Sequence, residues 1–372
     1  MFLALKEMGR ARVRFGLLIS AIGMLVFLIL FQQSVQQGLL TSFVGAIENQ
    51  SAPILVYSVD GQRVIQGSII TPDLEAGVAS TEGVAEQGRI GQGTFSVLAD
   101  GRPGEATILG YEQENLGAPS DLVDGRYPAA FGEAVASDAD GGDGYGLGDV
   151  VVVEPGGLEV VVVGVARDVR LNANPTLFVA YDTYIGAVGA ANPDAGEPLP
   201  NVVAVQPAAG YDVGQVVDNI NAQSLALDAL SRSDAAANTP GVAQVQQSFR
   251  IIFLLYGLVI PFVTGLFFLI VTFQKAGSLT LLRAIGAPAS RLVGSMLAQA
   301  VIITGLGYLV GLAFYAPVSQ IRLGGIPLRF ETNAVVFWAA VLLILGLGSS
   351  LFAAQRVLRI DPIEATTGGG QR

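Results

Sequence analysis

Residues Phe15–Phe31 read FGLLISAIGMLVFLILF, without one charged side chain. A helix needs about 20 apolar residues to cross about 30 Å of hydrocarbon, and it satisfies its own backbone groups where no water is present to do so. Three further runs have the same character: Ile251–Phe273, Leu292–Ala316 and Ala334–Ala354. Four charge-free runs of this length are read as four membrane spans rather than as core helices of a soluble protein. The composition agrees, with 51% hydrophobic and only 14% charged residues. Lys6, Arg10, Arg12 and Arg14 precede the first run, as in a signal peptide. That run exceeds the usual apolar length of a cleaved signal, and the flank Gln32–Gln37 offers no small-residue cleavage site. It is therefore read as an uncleaved anchor.

Basic residues near helix ends set the expected orientation. The N-terminus, the connection between spans two and three (Lys275, Arg283, Arg291) and the C-terminus (Arg356, Arg359, Arg372) share one side if four spans are present. That side is expected to be the cytoplasm. The opposite side holds the stretch from Gly45 to Val245 and a short loop from Pro317 to Glu331, where Arg322 and Arg329 mildly violate the rule. Between Gly45 and Val245 there are 7 Arg and no Lys against 27 Asp and Glu, a net charge of −20. Such a surface stays soluble and favours cationic partners.

Within this large segment the pattern changes to short β-rich runs: Ile54–Val59, Thr94–Leu98, Val150–Val153, Leu158–Val165, Leu177–Tyr181 and Val202–Val205. Gly, Pro, Asn and Asp separate them, as strands and turns require. Helices are expected at Thr71–Ser80, with Thr71 as cap and Pro72 at the first helical position, and at Val216–Leu230. The expected fold is thus membrane α-helical, with four transmembrane helices and an extracytoplasmic α+β domain of two lobes. One lobe lies near both membrane stalks and the other around Gly91–Asp140. The first stalk, Gln36–Ile47, is expected to continue span one as a helix, and Gln244–Phe249 leads into span two without a breaker. The expected divisions are 1–44, 45–245 and 246–372.

The chain contains no Cys and no His. Disulfides, zinc–thiolate sites and Ser-His-Asp chemistry are excluded. Asp138-Ala139-Asp140-Gly141-Gly142-Asp143 resembles a calcium loop, but Gly142 stands where an acidic ligand is wanted and Asp143 where glycine is wanted. A Gly/Asp-rich turn entering the strand at Asp149 is the preferred reading. Lys6 and Lys275 follow Leu5 and Gln274, so no phosphate-binding Gly-Lys-Ser/Thr loop exists. No carboxylate pair stands out for acid–base work, and no metal site is expected.

After span two the chain reads Gln274-Lys275-Ala276-Gly277-Ser278-Leu279-Thr280-Leu281-Leu282-Arg283-Ala284-Ile285-Gly286-Ala287-Pro288. A short amphipathic helix, roughly Ser278–Ile285, is expected to end at a Gly286 C-cap. Read blandly, it lies on the membrane surface. Read functionally, it docks into a groove of a partner.

The segment Leu281, Leu282, Arg283, Ala284, Ile285, Gly286, Ala287 resembles the one after the second span in the FtsX/MacB-like permeases of ABC transporters. Ala354 to Ala365, with Arg356, Arg359, Asp361 and Pro362, resembles their closing motif. Gly125-Arg126 through Glu133-Ala134-Val135, then Leu147-Gly148-Asp149 and Val161–Val165, is similar to their outer domain. The order of one span, a large outer domain and three spans matches along nearly the whole chain. The family often has two basic residues where this chain has Pro288-Ala289-Ser290-Arg291, and Leu-Arg where it has Thr366-Thr367.

The resemblance implies a permease subunit without enzymatic activity of its own, in a bacterial inner membrane with both termini cytoplasmic. ATP and Mg would sit on a separate cytoplasmic ABC ATPase dimer, as in the LolCDE, DevC and FtsX branches. A second permease chain, membrane lipid and an extracytoplasmic adaptor or hydrolase are the other implied partners; nucleic acid is not. The implied work is export of a lipid, lipoprotein, peptide or drug. The alternative is mechanical switching of a cell-wall hydrolase, as FtsX does, and a membrane-anchored enzyme is the third class. Arg283 and Gly286 are the residues implied to couple ATPase movement to the spans.

Overall fold

The computed structural model describes residues 12–284, 288–323 and 326–358; the side chains at 264, 267–268, 271–284, 289–292 and 353–358 lie outside that description. The chain divides into two compact units, Gly38–Gln246 and a helical unit of Met1–Gln37 with Gln247–Arg372.

Four long helices hold the apolar runs: α1 (Arg12–Glu48), α6 (Val242–Ala284), α7 (Ala289–Val318) and α8 (Thr332–Leu358). Each contains a stretch long and apolar enough to cross a membrane. In the helical unit α1 presents Phe15, Leu18, Ile22, Val26, Ile29 and Leu30 to a core shared with Ile260 of α6, Ile303 and Tyr315 of α7, and Trp338 and Leu342 of α8. Small residues let α1 and α7 approach closely. A Cβ at Gly311 would stand 2.6 Å from the Gly23 carbonyl oxygen, and one at Gly307 would stand 2.6 Å from the Ile22 side chain. In lipid, where hydrophobic burial between helices gains little, such close packing carries association. The spacing Gly307-Tyr308-Leu309-Val310-Gly311 is the small-x-x-x-small pattern of that packing.

The other unit is built on a ten-stranded sheet. Its strands are β1 (Ile54–Ser58), β2 (Val84–Ala99), β3 (Arg102–Tyr111), β4 (Leu122–Gly125), β5 (Glu133–Ser137), β6 (Val150–Val153), β7 (Leu158–Ala166), β8 (Thr176–Ala180), β9 (Val202–Pro207) and β10 (Leu227–Ser231). Its helices are α2 (Pro72–Ala79), α3 (Tyr181–Ala191), α4 (Val213–Gln223) and α5 (Arg232–Asn238). Pairing runs β10-β1-β9-β2-β3-β8-β5-β7-β4, while β6 joins β2 to β7. The circuit β2-β3-β8-β5-β7-β6 therefore closes into a six-stranded barrel, and β10-β1-β9 continue from the first half of β2 as an open sheet. Strand β2 belongs to both lobes: Ile90 and the residues before it pair with β9, and Val97–Ala99 pair with β6.

The open lobe is covered on both faces, which is why β1 reads as an unbroken apolar run. Alternate residues part to opposite sides. Ile54 and Val56 join Val203, Val205, Val216 and Ile220 beneath α2 and α4. Leu55 and Tyr57 join Val44, Ala46 and Ile47 of α1 and Ala235 and Ala236 of α5. The barrel interior is filled by Phe95, Val97, Ile108, Val151, Val160, Leu177 and Val179 among others. Tyr184 of α3 lies flat where Cβ atoms at Gly91 and Gly110 would collide with it, at 2.2 and 2.3 Å.

The four spans, the mixed α/β unit and the helical extension of span one are as expected. Two elements differ. The run Val216–Leu230 is not one helix. Asp212 and Gln215 form a reciprocal capping box, α4 ends at Gln223, Ser224 is extended, and β10 follows. Leu227 and Ala229 alternate into the core, and β10 pairs with β1, so tertiary pairing overrides the helical periodicity. The segment from Ser278 is likewise no separate helix. Only Pro261 interrupts the sequence of α6 before Gly286, so one helix of 43 residues runs from Val242 to Ala284. Thr71 does precede Pro72 at the start of α2, but its side chain makes no capping hydrogen bond.

Candidate functional site

The predicted coupling residues Leu281, Leu282, Arg283 and Ala284 form the final turn of α6. Ile285, Gly286 and Ala287 lie outside the described residues, and α7 restarts after an extended Pro288. Arg356 is in the last turns of α8, whereas Arg359, Asp361 and Pro362 lie outside the described residues. The described members of the two groups thus sit at the ends of long helices.

The α/β unit holds a site that the sequence did not point to: a clasp on the end of α1. The loop after β7, Arg167–Pro175, crosses the final turns of that helix. Asn172 N–H donates to the Phe43 carbonyl at 3.0 Å and Ala173 N–H to the Ser42 carbonyl at 2.8 Å. In the other direction Ala46 N–H donates to the Arg170 carbonyl at 2.9 Å, and the Asn49 side-chain amide donates to the Asp168 carbonyl at 2.8 Å. The approach is close enough that a Cβ on Gly45 would stand 2.3 Å from the Asp168 oxygen. To deliver these groups the loop places Asp168, Asn172 and Ala173 in the left-handed region, at φ 55°, 54° and 61°. Such backbone persists only where its surroundings over-determine it.

The clasp is tied to the barrel lobe. Arg170, only 8% exposed, reaches Asp140 at 3.1 Å; Asp140 lies in the 3₁₀ turn Asp138–Asp143 directly after β5. The Asp168 N–H also donates to the Asp138 side chain at 3.2 Å. The acidic turn that resembles a calcium loop therefore has a use of its own. Asp140 pairs with an arginine, Asp138 holds the clasp, and Asp149 accepts from Gly146 N–H at 2.7 Å. No cluster of metal-ligating side chains occurs among the described residues.

The motif Gly125-Arg126 to Glu133 has a structural meaning. Gly125 turns at φ 79°, where a Cβ would meet the Val163 carbonyl at 2.3 Å. Arg126 grips Glu133 through both guanidinium nitrogens, at 2.7 and 2.5 Å. Glu133 also accepts from Ala129 and Ala130 N–H. These bonds to its charged form, the Arg126 bond foremost, pull the carboxyl down to about 2.

In the helical unit, α6 and α8 flank a groove of about 610 Å³ lined by Pro261, Phe262, Gly265, Leu266, Ile344 and Phe352 among others. Ser349 donates to the Pro261 carbonyl at 3.1 Å. The lining has no charged side chain and suits only an apolar guest.

No family model matches the chain. A protein of Staphylococcus epidermidis named as the hemin transport system permease HrtB is 23% identical over 391 aligned positions, covering 100% of both chains. Its namesake in Staphylococcus haemolyticus is 20% identical, with 99% of each chain covered. Among solved structures, the periplasmic region of MacB from Actinobacillus actinomycetemcomitans superposes with a TM-score of 0.36 at 11% identity, over 51% of this chain and 92% of that one. The chain thus aligns end to end with proteins named as permeases, and its order of one membrane-long helix, a single α/β unit and three more such helices is the one expected of an FtsX/MacB-like ABC transporter permease.

Proposed function

We propose that the chain is the membrane subunit of an ATP-driven exporter whose ATPase is a separate protein, and that its cargo is hemin or a like amphiphile. The observation that carries this reading is the chain-long similarity to proteins named for hemin transport. The cargo class is a large flat apolar body with acidic side groups. A chain without His or Cys leaves Tyr, Met or a carboxylate to approach the iron. The unit between Gly38 and Gln246 faces outward, both termini lie in the cytoplasm of a bacterial inner membrane, and two permease chains pair.

In this reading, closure of a cytoplasmic ATPase dimer moves the segment Leu281–Ala287. Helix α6 carries the movement, since 43 helical residues make a rod of about 64 Å. Helix α1 delivers it to the clasp, whose hydrogen bonds and close packing leave no slack at Gly45. Outer-side work follows from displacement of the α/β unit rather than from a channel through the spans.

The test is purification of the chain from its native membrane with its companions. A stoichiometric ATPase whose turnover rises with hemin supports the reading, and Gly286→Val is expected to keep the complex while abolishing that stimulation. Absence of any ATPase after gentle extraction would overturn it. An ATPase together with a secreted cell-wall hydrolase, and no response to hemin, would favour the switching role.

A further inference from the structure

The strap between α7 and α8 carries chemistry that transport and coupling do not use. It holds two short antiparallel strands, β11 (Arg322–Leu323) and β12 (Ile326–Pro327), with Arg322 opposite Pro327 and Leu323 opposite Ile326. Leu328 N–H extends the pairing to the Ile321 carbonyl at 3.1 Å. Two buried hydroxyls tie down its base. Ser34, 0% exposed, donates to the Arg329 carbonyl at 2.8 Å and accepts from Arg329 N–H at 3.2 Å. Tyr315, 1% exposed, donates to the same carbonyl at 3.0 Å and accepts from Glu331 N–H at 3.2 Å. The strap is therefore held in place by α1 and α7 together.

The strap exposes two kinds of group. Ile321, Leu323 and Phe330 are 49%, 47% and 43% exposed. Arg322 is also exposed and Arg329 half-buried; as neighbours in β11, Arg322 and Leu323 project to opposite faces of the ladder. Both ends of the strap run directly into spans, so it lies where hydrocarbon gives way to headgroups, whichever way the chain is inserted. At that depth exposed apolar side chains gain from entering the acyl boundary, and guanidinium groups gain from phosphate and from a negative surface. These are also the two arginines that depart from the expected charge asymmetry, so a local role accounts for their placement.

We infer that the strap's residues 321–323 and 326–330 form a binding surface for anionic phospholipid. Ile321, Leu323 and Phe330 enter the interface, while Arg322, backed by Arg329, meets the headgroup phosphate. Bound lipid then fixes the depth of α7 and α8 independently of any cargo.

The chain has no native cysteine, so Leu323→Cys carries a fluorophore at one defined place. The labelled full-length protein is placed in nanodiscs of mixed phosphatidylcholine and phosphatidylglycerol. Quenching by a headgroup-attached nitroxide, and not by aqueous iodide, is expected. Quenching by iodide alone would overturn insertion of the strap. In native mass spectrometry the wild type should retain phosphatidylglycerol over phosphatidylcholine. Arg322→Gln should lower that preference about fivefold, as one guanidinium near a charged surface is worth. Arg322→Lys, which keeps the charge, should retain most of it. A preference unchanged in Arg322→Gln would overturn the headgroup assignment.

Discussion

The guanidinium of Arg170 lies 3.1 Å from the carboxylate of Asp140, with the two side chains 10% and 1% exposed. This pair joins the loop that grips α1 to the turn that leaves β5. Removing one partner leaves a buried charge uncompensated, so Arg170→Met is expected to destabilise the α/β unit by about 3–5 kcal/mol. Replacing both, as Arg170→Met with Asp140→Leu, should recover a large part of that loss. Thermal unfolding of the full chain in detergent, followed by its strand signal, reads both. A double variant no better than the single one would show that the pair's charge balance is not what matters.

At Gly45 the helix and the loop leave no room for a side chain. Gly45→Ala puts a Cβ against the Asp168 carbonyl at 2.3 Å, and overpacking of that kind costs about 1–3 kcal/mol. If the clasp transmits movement, the same variant should lower cargo-stimulated ATPase turnover in the complex more than basal turnover. Equal loss of both would reduce the clasp to a structural contact.

The Arg126–Glu133 grip sets an acid limit for the barrel lobe. Its folded carboxyl titrates at about 2, below the ordinary 4.5. A depressed value means the contribution is complete above 4.5 and fades as pH falls from 4.5 toward 2. Glu133→Gln should therefore lower the thermal midpoint at neutral pH and narrow its gap to the wild type as pH falls through that window. Midpoints measured across the range decide it; a gap that stays constant would contradict the assignment.

Packing of α1 on α7 is open to a matched pair of substitutions. Gly311→Val drives atoms into Gly23 and Val26 and is expected to cost about 1–3 kcal/mol. Gly305→Val, on the same helix with open space around the glycine, should be close to neutral. Thermal midpoints of the two proteins in the same detergent test the contrast.

Much of this was legible in the sequence, because lipid imposes a rule that few residues can break. The runs starting at Phe15, Ile251, Leu292 and Ala334 each lie within a long helix. Strand Val150–Val153 is read correctly to the residue, since Pro155 and the Gly/Asp-rich turn bound it. The GxxxG pattern at Gly307 was present in the sequence and reports the α1–α7 contact. The clasp gave no comparable signal. Asn172 and Asp168 are only mildly suggestive of left-handed backbone, and Ala173 argues against it. Barrel closure was hidden for another reason. It depends on Val97–Ala99 pairing with β6 far along the chain, and local alternation does not name a strand's partner. Strand β10 was obscured by the helical spacing of Val216, Ile220 and Leu227.

Strand β2 has a consequence for how the unit can change over evolution. One sixteen-residue strand is threaded through both lobes, so the lobes have no wrist between them. A tilt imparted at the clasp arrives undiminished at the barrel, because relative rotation would tear the ladder that β2 shares with β9, β3 and β6. On the proposed function, loops of the barrel lobe can then diversify toward new cargo or companions without retuning the lever that moves them.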